Sequence, residues 1–311
     1  MTPALFSGTE AADEYQFMQT PNAAKKIDHH RKTFITEEDF IWLHDNGINA
    51  VRIPIGYWAL DDAPPFISAL AYLDFAMNMA KKYSLQVIID LHGLEGSQNG
   101  RDHSGKLGQA DWFKQAAYRE HTLDILEQIA LRYRDYDIFW GLQLINEPKF
   151  GLIHSKLRRY YHQAYSRLAR ILRTHTRIIF SDAFTPRLLS GALRGKVHPI
   201  VMDIHLYHPG TWFARFLSLR WFYNKMLRRK RLFAKLSKTQ PIIIGEWSGV
   251  LDQAKVNAVS ESEQAKLFAD YIALQQSVYD ETAGWFYWNY KTDAPGIWSF
   301  RSQVEVGQIK L

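Results

Sequence analysis

The 311-residue chain contains no cysteine. Disulfides, thiol nucleophiles and thiolate-bound metals are therefore excluded. No Gly-x-Gly-x-x-Gly and no Gly-x-x-x-x-Gly-Lys-Ser/Thr follows a predicted strand, so nucleotide binding is unsupported. No apolar run is long enough to span a bilayer. Residues 1–19 have no basic start and no apolar core, and Asp13 and Glu14 interrupt them. The expected location of the chain as written is cytoplasmic, with secretion or a periplasmic address if a leader precedes it. Acids are missing from one long stretch. Between Thr211 and Gln240 there are nine Lys or Arg, including Arg228, Arg229, Lys230 and Arg231, and no Asp or Glu.

Hydrophobic residues make up 47% and charged residues 23% of the chain, a globular balance. Aromatics reach 14%, more than a core usually demands. Aromatic rings cover the apolar faces of sugars and bases, so the surplus favours such a ligand.

Strand and helix patterns alternate along the chain. Apolar runs at 48–53 (closed by Pro54), 85–91, 138–145, 177–181, 200–206, 241–245 and 284–290 read as strands. Helical periodicity falls between them. Thr36 with Asp39 resembles a capping box, and Asn46-Gly47 ends that helix. Residues 1–34 read as polar and broken, with one helix around 11–18. Residues 211–238 read as an amphipathic crossover helix with a solvated basic face; a lid or a weak surface-attachment element is the alternative. No linker divides the chain, so one catalytic domain over 1–311 is expected. The fold class is α/β, a (β/α)8 TIM barrel whose first strand is missing or replaced.

Polar residues stand at the ends of these strands. Arg52, Asp90 with His92, Asn146 with Glu147, His205 with Tyr207, Glu246, and Trp288 each close one. A barrel gathers such positions on one rim. Taken singly, each has an ordinary reading, as a core histidine, a buried ion-pair partner or a packed ring. Asp90 and Asp203 read as loop-holding carboxylates. Glu147 and Glu246 together are the pair that glycosidic hydrolysis needs, one acid and one carboxylate. Arg52 would favour an ionised nucleophile, Asn146 would hold a sugar hydroxyl, Tyr207 would donate to the nucleophile, and Trp288 would floor the pocket. His92, His205 and the two glutamates offer zinc ligands, but no His-Glu-x-x-His pattern supports a metal, and neither metal nor cofactor is expected.

The chain resembles glycoside hydrolase family 5, clan A, in its exo-β-1,3-glucanase branch. The resemblance rests on Val51-Arg52-Ile53-Pro54, Asp90-Leu91-His92-Gly93, Gly96-Ser97-Gln98-Asn99-Gly100, Asn146-Glu147-Pro148, His205-Leu206-Tyr207, Gly245-Glu246-Trp247-Ser248 and Trp288-Asn289-Tyr290. It implies a retaining hydrolase with Glu147 as acid/base and Glu246 as nucleophile. It also implies a sugar subsite lined by Arg52, His92, Asn99, Asn146, His205, Tyr207 and Trp288, and a loop at 96–105 that narrows the pocket. The implied substrates are β-1,3-glucans, β-gluco-oligosaccharides or small β-glucosides, with an endo-acting β-1,4-glucanase or mannanase as the alternative and a non-catalytic carbohydrate-binding barrel behind both. The family's Gly-Gly-Trp strand ahead of Thr2-Pro3-Ala4-Leu5-Phe6 has no counterpart here.

Overall fold

The computed structural model of the protein describes residues 3–60, 62–151, 154–207, 219–251, 256–257 and 260–311. The chain forms two compact units. One runs through Thr185 and adds Gly191–Val201; the other is Pro186–Ser190 with Met202–Leu311.

The first unit opens with helices. α1 (Glu14–Phe17) is capped by Asp13, whose Oδ1 accepts the Gln16 N–H at 2.7 Å. The other oxygen of Asp13 accepts the Leu107 N–H at 2.7 Å, and Tyr15 N–H donates to Gly105 O at 2.9 Å. The amino-terminal segment thus braces the loop that follows the second strand. α2 (Ala23–Thr33) buries only Ala23 and Ile27. α3 (Glu37–Asp45) starts on the expected capping box, with the Asp39 carboxylate accepting the Thr36 N–H at 2.8 Å. It stops where Gly47 adopts a φ of +73°, which a residue with a side chain avoids.

β1 (Ala50–Gly56), α4 (Leu70–Lys82), β2 (Gln86–Gly93), α5 (Ala116–Tyr133), β3 (Phe139–Gln143), α6 (His154–Leu168) and β4 (Arg177–Ser181) then alternate. β1 to β4 pair in parallel, in chain order. Val87, Ile88, Ile89 and Leu91 of β2 are fully buried on both faces, the unbroken apolar run of a parallel strand under helices. Each such side chain contributes about 1.5–3 kcal/mol of transfer free energy. Two buried tyrosines of α6 close the strand ends. Tyr160 donates to Leu144 O at 2.6 Å and Tyr161 to Ser181 O at 2.7 Å, satisfying carbonyls where the ladder stops.

The second unit holds α7 (Pro186–Leu189), β5 (Ile200–Leu206) from Met202 on, α8 (Leu219–Leu236), β6 (Ile242–Trp247), α9 (Glu261–Tyr279), β7 (Trp285–Tyr287) and α10 (Phe300–Glu305). β5, β6 and β7 are parallel. A Ser260–Glu263 capping box starts α9. Met226, Phe233 and Leu236 bury one side of α8, while Arg220, Arg228, Arg231 and Lys235 stand exposed on the other. This matches the crossover helix with a solvated basic face. The expected stretch at 211–218 lies outside the described residues.

Strand order is chain order from β1 to β7. With helices between parallel strands, this is the (β/α)8 barrel class. Seven strands were expected and seven are found; among the described residues none precedes β1. Three expectations are corrected. Pro54 does not end β1, which runs to Gly56 with Pro54 level with Asp90. Among the described residues β2 is the only neighbour of β1, and an edge strand tolerates a residue without an N–H. β3 ends at Gln143, not at 145, although Leu144 N–H still reaches Ile179 O at 2.9 Å. The segment 1–34 is not broken throughout, because α2 spans eleven of its residues. With only two buried side chains, α2 leaves too narrow an apolar stripe for periodicity to reveal.

Candidate active site

In the first unit, the ends of β1, β2 and β3 build a buried polar cluster. Asp90 and His92 are two apart on β2 and so face the same way. His92 is the extra residue where the β1–β2 register slips, between the pairs Ile55–Leu91 and Gly56–Gly93. Such a bulge re-aims a side chain. The Asp90 carboxylate accepts from His92 Nδ1 at 2.7 Å and pairs with Arg52 Nη2 at 2.9 Å. Arg52 also donates through Nε to Gln143 Oε1 at 3.0 Å and through Nη2 to Asn146 Oδ1 at 3.0 Å. The Asn146 amide nitrogen must then face His92 Nε2, 3.3 Å away. An amide nitrogen only donates, so His92 carries its proton on Nδ1 and accepts through Nε2. Arg52, buried to 3% exposure in its side chain, is thereby tied to β2 and to the exit of β3.

Glu147 lies four residues beyond β3 at a φ of +38°. A non-glycine residue there stores strain of order 1 kcal/mol, held by its surroundings. The surroundings are specific. Asn99 Nδ2 donates to Glu147 O at 3.0 Å. Gln98, fully buried, donates through Nε2 to His92 O at 2.6 Å and Asn146 O at 2.9 Å, and accepts the Leu94 N–H at 3.2 Å. The loop after β2 therefore clamps the turn that presents Glu147. The Glu147 carboxylate is 7% exposed as a residue, with His103 Nε2 at 3.4 Å and Arg101 Nη1 at 3.5 Å from Oε2.

In the second unit the pattern recurs. Asp203 and His205 are again two apart on one strand. Asp203 Oδ2 accepts from His205 Nε2 at 2.9 Å, and Oδ1 accepts the Gly245 N–H at 2.8 Å. Ile204 pairs with Ile244 and His205 with Glu246, so Gly245 is the extra residue of a bulge. A Cβ on Gly245 would sit 2.2 Å from Asp203 Oδ1, so only glycine permits this approach. The bulge turns Glu246 toward Tyr207, whose hydroxyl donates to Oε2 at 2.8 Å. His205 Nδ1 lies 3.6 Å from the same oxygen. Glu246 is 4% exposed. Trp288 directly follows β7, half-buried, with its N–H donating to Trp247 O at 2.8 Å.

The structure thus brings Arg52, His92, Asn99, Asn146 and Glu147 together in the first unit, and His205, Tyr207 and Glu246 together in the second. Asn99, expected to line the sugar subsite, turns its amide nitrogen to the backbone of Glu147. Asp90 and Asp203 do not simply hold loops. Each is the buried partner of a histidine two positions on, although Asp203 also keeps a backbone N–H. Gln98, Gln143, Arg101 and His103 went unassigned in the sequence reading. The twice-repeated Asp-x-His at strand ends was the available signal for the histidine pairs, and a lone polar Gln143 inside an apolar strand was the signal for the Arg52 partner.

Parallel strands with carboxylates and their donors at the carboxyl ends are the arrangement that a barrel-class glycosyl hydrolase uses. Residues 11–294 match the family model "Cellulase (glycosyl hydrolase family 5)", and the chain belongs to that family. It is 31% identical over 349 residues to a probable glucan 1,3-beta-glucosidase A of Emericella nidulans, covering 99% of this chain and 85% of that one. It is 32% identical over 339 residues to a probable glucan 1,3-beta-glucosidase A of Aspergillus niger, covering 95% and 80%. The rutinosidase from Aspergillus niger shares the fold, with a TM-score of 0.83 at 19% identity over 99% of this chain and 93% of that one. Endoglucanase Cel5A from Thermotoga maritima shares it less closely, with a TM-score of 0.59 at 19% identity over 85% and 84%.

Proposed function

We propose that the protein is a retaining, exo-acting β-glucosidase that releases glucose from β-1,3-glucans, β-gluco-oligosaccharides or small β-glucosides, with Glu147 as acid/base and Glu246 as nucleophile. Glu246 attacks the anomeric carbon as the glycosidic C–O bond breaks, and Glu147 gives its proton to the leaving oxygen. Water then attacks the glycosyl ester, Glu147 takes a proton from it, and Glu246 leaves as a carboxylate. Two inversions restore the starting configuration. Arg52, His92, Asn146, His205, Tyr207 and Trp288 bind the terminal sugar.

The observation that carries the reading is the unlike setting of two buried glutamates. Tyr207 directs a hydroxyl hydrogen at Glu246 Oε2, which orients this carboxyl as a nucleophile needs. Glu147 sits on a strained turn clamped by the loop at 96–105, among nitrogen groups 3.4 and 3.5 Å away. The loop's hydrogen bonds to Glu147 O and Asn146 O hold it against the acid's turn, the placement that a loop closing the pocket of an exo-acting enzyme needs. The names of the relatives support the β-1,3-glucan substrate. Product analysis on laminari- and cello-oligosaccharides is the test. Stepwise release of β-glucose from laminari-oligosaccharides supports the reading. Internal cleavage of cello- or manno-oligosaccharides would install the endo-acting alternative.

The exposed basic face of α8 supports a second, weak role in attachment to anionic surfaces. Liposome co-sedimentation that stays negative at low salt removes it.

A further inference from the structure

Arg101 is an unusual neighbour for the proposed acid. Its side chain is 61% exposed, yet Nη1 lies 3.5 Å from Glu147 Oε2. A guanidinium has five donors in a rigid fork. Among the described residues, the Glu147 carboxylate is the one polar partner of this fork, at the long end of hydrogen-bond distance. Arg52, by contrast, turns Nε and Nη2 to Gln143, Asp90 and Asn146. Most of the Arg101 fork therefore faces solvent beside the carboxyl that would protonate the leaving group.

An aromatic ring shares the position. The Phe184 ring lies 6.0 Å from the Arg101 guanidinium carbon and is 39% exposed. It is held out by strained backbone: Ala183 and Phe184 both have positive φ, at +46° and +59°. Asp182 fixes this turn, its Oδ1 accepting the Phe184 N–H at 3.0 Å and its carbonyl accepting the Thr185 N–H at 2.8 Å. Two successive non-glycine residues in this region are costly, and the turn places the ring beside the guanidinium.

Glu147 marks where the leaving oxygen must sit, so what lies beside its carboxyl contacts the leaving group. We propose that Arg101 and Phe184 form a leaving-group subsite selecting aromatic aglycones that carry a carboxylate. The ring stacks on Phe184 and the carboxylate meets the open donors of Arg101, where Arg's planar fork matches it in two-point fashion. The inference rests on the acid role of Glu147 in the proposed function.

The test compares 4-carboxyphenyl and 4-carbamoylphenyl β-glucosides, which match in shape and differ in charge. The kcat/KM ratio of the two is measured for the wild type, Arg101→Gln, Arg101→Lys and Phe184→Leu. Dividing the wild-type ratio by the Arg101→Gln ratio cancels the intrinsic reactivity of the two phenols. A preference for the carboxylate at least about tenfold greater in the wild type is expected, carried mainly by KM and weakened by salt. Arg101→Lys recovers part of it, which a merely structural role would not do. Phe184→Leu lowers kcat/KM for both aryl substrates relative to methyl β-glucoside. Equal ratios in wild type and Arg101→Gln, with both substrates hydrolysed, overturn the subsite and leave the proposed function standing. Failure of the folded wild type to hydrolyse either glucoside, or any neutral aryl β-glucoside, overturns both. Thermal melts establish that the variants are folded.

Discussion

Removing one hydroxyl separates the two chemical steps. Tyr207 donates to Glu246 Oε2 at 2.8 Å, and its ring also packs 6.0 Å from Trp298. Tyr207→Phe keeps the ring and deletes the donor. In the first step Glu246 loses negative charge as it becomes an ester, so a hydrogen bond to its oxygen lends the transition state little. In the second step the carboxylate re-forms as the leaving group, and the donor stabilises it. A hydrogen bond to a charged group contributes about 1.5–3 kcal/mol net. At about 1.36 kcal/mol per decade of rate, this is roughly a ten- to 150-fold loss in deglycosylation. With a reactive aryl glucoside, for which the first step is fast, kcat should fall by that factor and kcat/KM by far less. A burst of phenol should appear as the ester accumulates. Stopped-flow absorbance measures both. An equal loss in kcat and kcat/KM without a burst, or a loss below about threefold, would refute the assignment of this donor to the nucleophile.

Other consequences follow from the same geometry. Gly245→Ala drives a Cβ into Asp203 at 2.2 Å, displacing the carboxylate that holds His205; overpacking and a broken buried bond together should cost about 2–5 kcal/mol by denaturant melt, with activity lost before the fold. Gln98→Ala strips donors from His92 O and Asn146 O, and about 2–4 kcal/mol of stability should go with them, alongside reduced kcat as the Glu147 turn loosens. His198 is buried with Nε2 2.8 Å from Thr176 O, and burial holds its imidazole below the ordinary value. The unfolded chain therefore takes up this proton first as pH falls, so the contribution is present above about pH 6.5 and is lost on acidification through the lower folded-state value. His198→Gln should flatten that part of the stability-versus-pH curve measured by thermal melts.

The legibility of the chain followed the physics of each part. Strands of a parallel sheet are buried on both faces, so runs such as Ile242-Ile243-Ile244 announce themselves. Capping at Thr36 is local chemistry and was readable in place. α2 was not, since two buried residues in eleven leave almost no periodic signal. Glu147 and Glu246 stood out because an acid at the end of an apolar strand has few structural reasons to be there. Their supports did not. Gln98 acts through backbone carbonyls of His92 and Asn146, which no residue type reveals. Gly245 is needed because Asp203, forty-two positions earlier, points at it across a bulge. Asp90 looked like a loop carboxylate until Arg52 arrived from another strand. Long-range pairing of this kind exists only once the sheet register is known.

The central claim is that Glu246 forms a covalent glycosyl ester, and trapping tests it most directly. An activated 2-deoxy-2-fluoro-β-glucoside slows both steps and lets the ester accumulate. The account predicts time-dependent inactivation and, after digestion, one fluoroglucosyl group on the peptide carrying Gly245-Glu246-Trp247, absent from Glu246→Gln. An adduct on Glu147 instead, or an enzyme that turns over aryl β-glucosides while never forming an adduct and releases the inverted anomer, would contradict it.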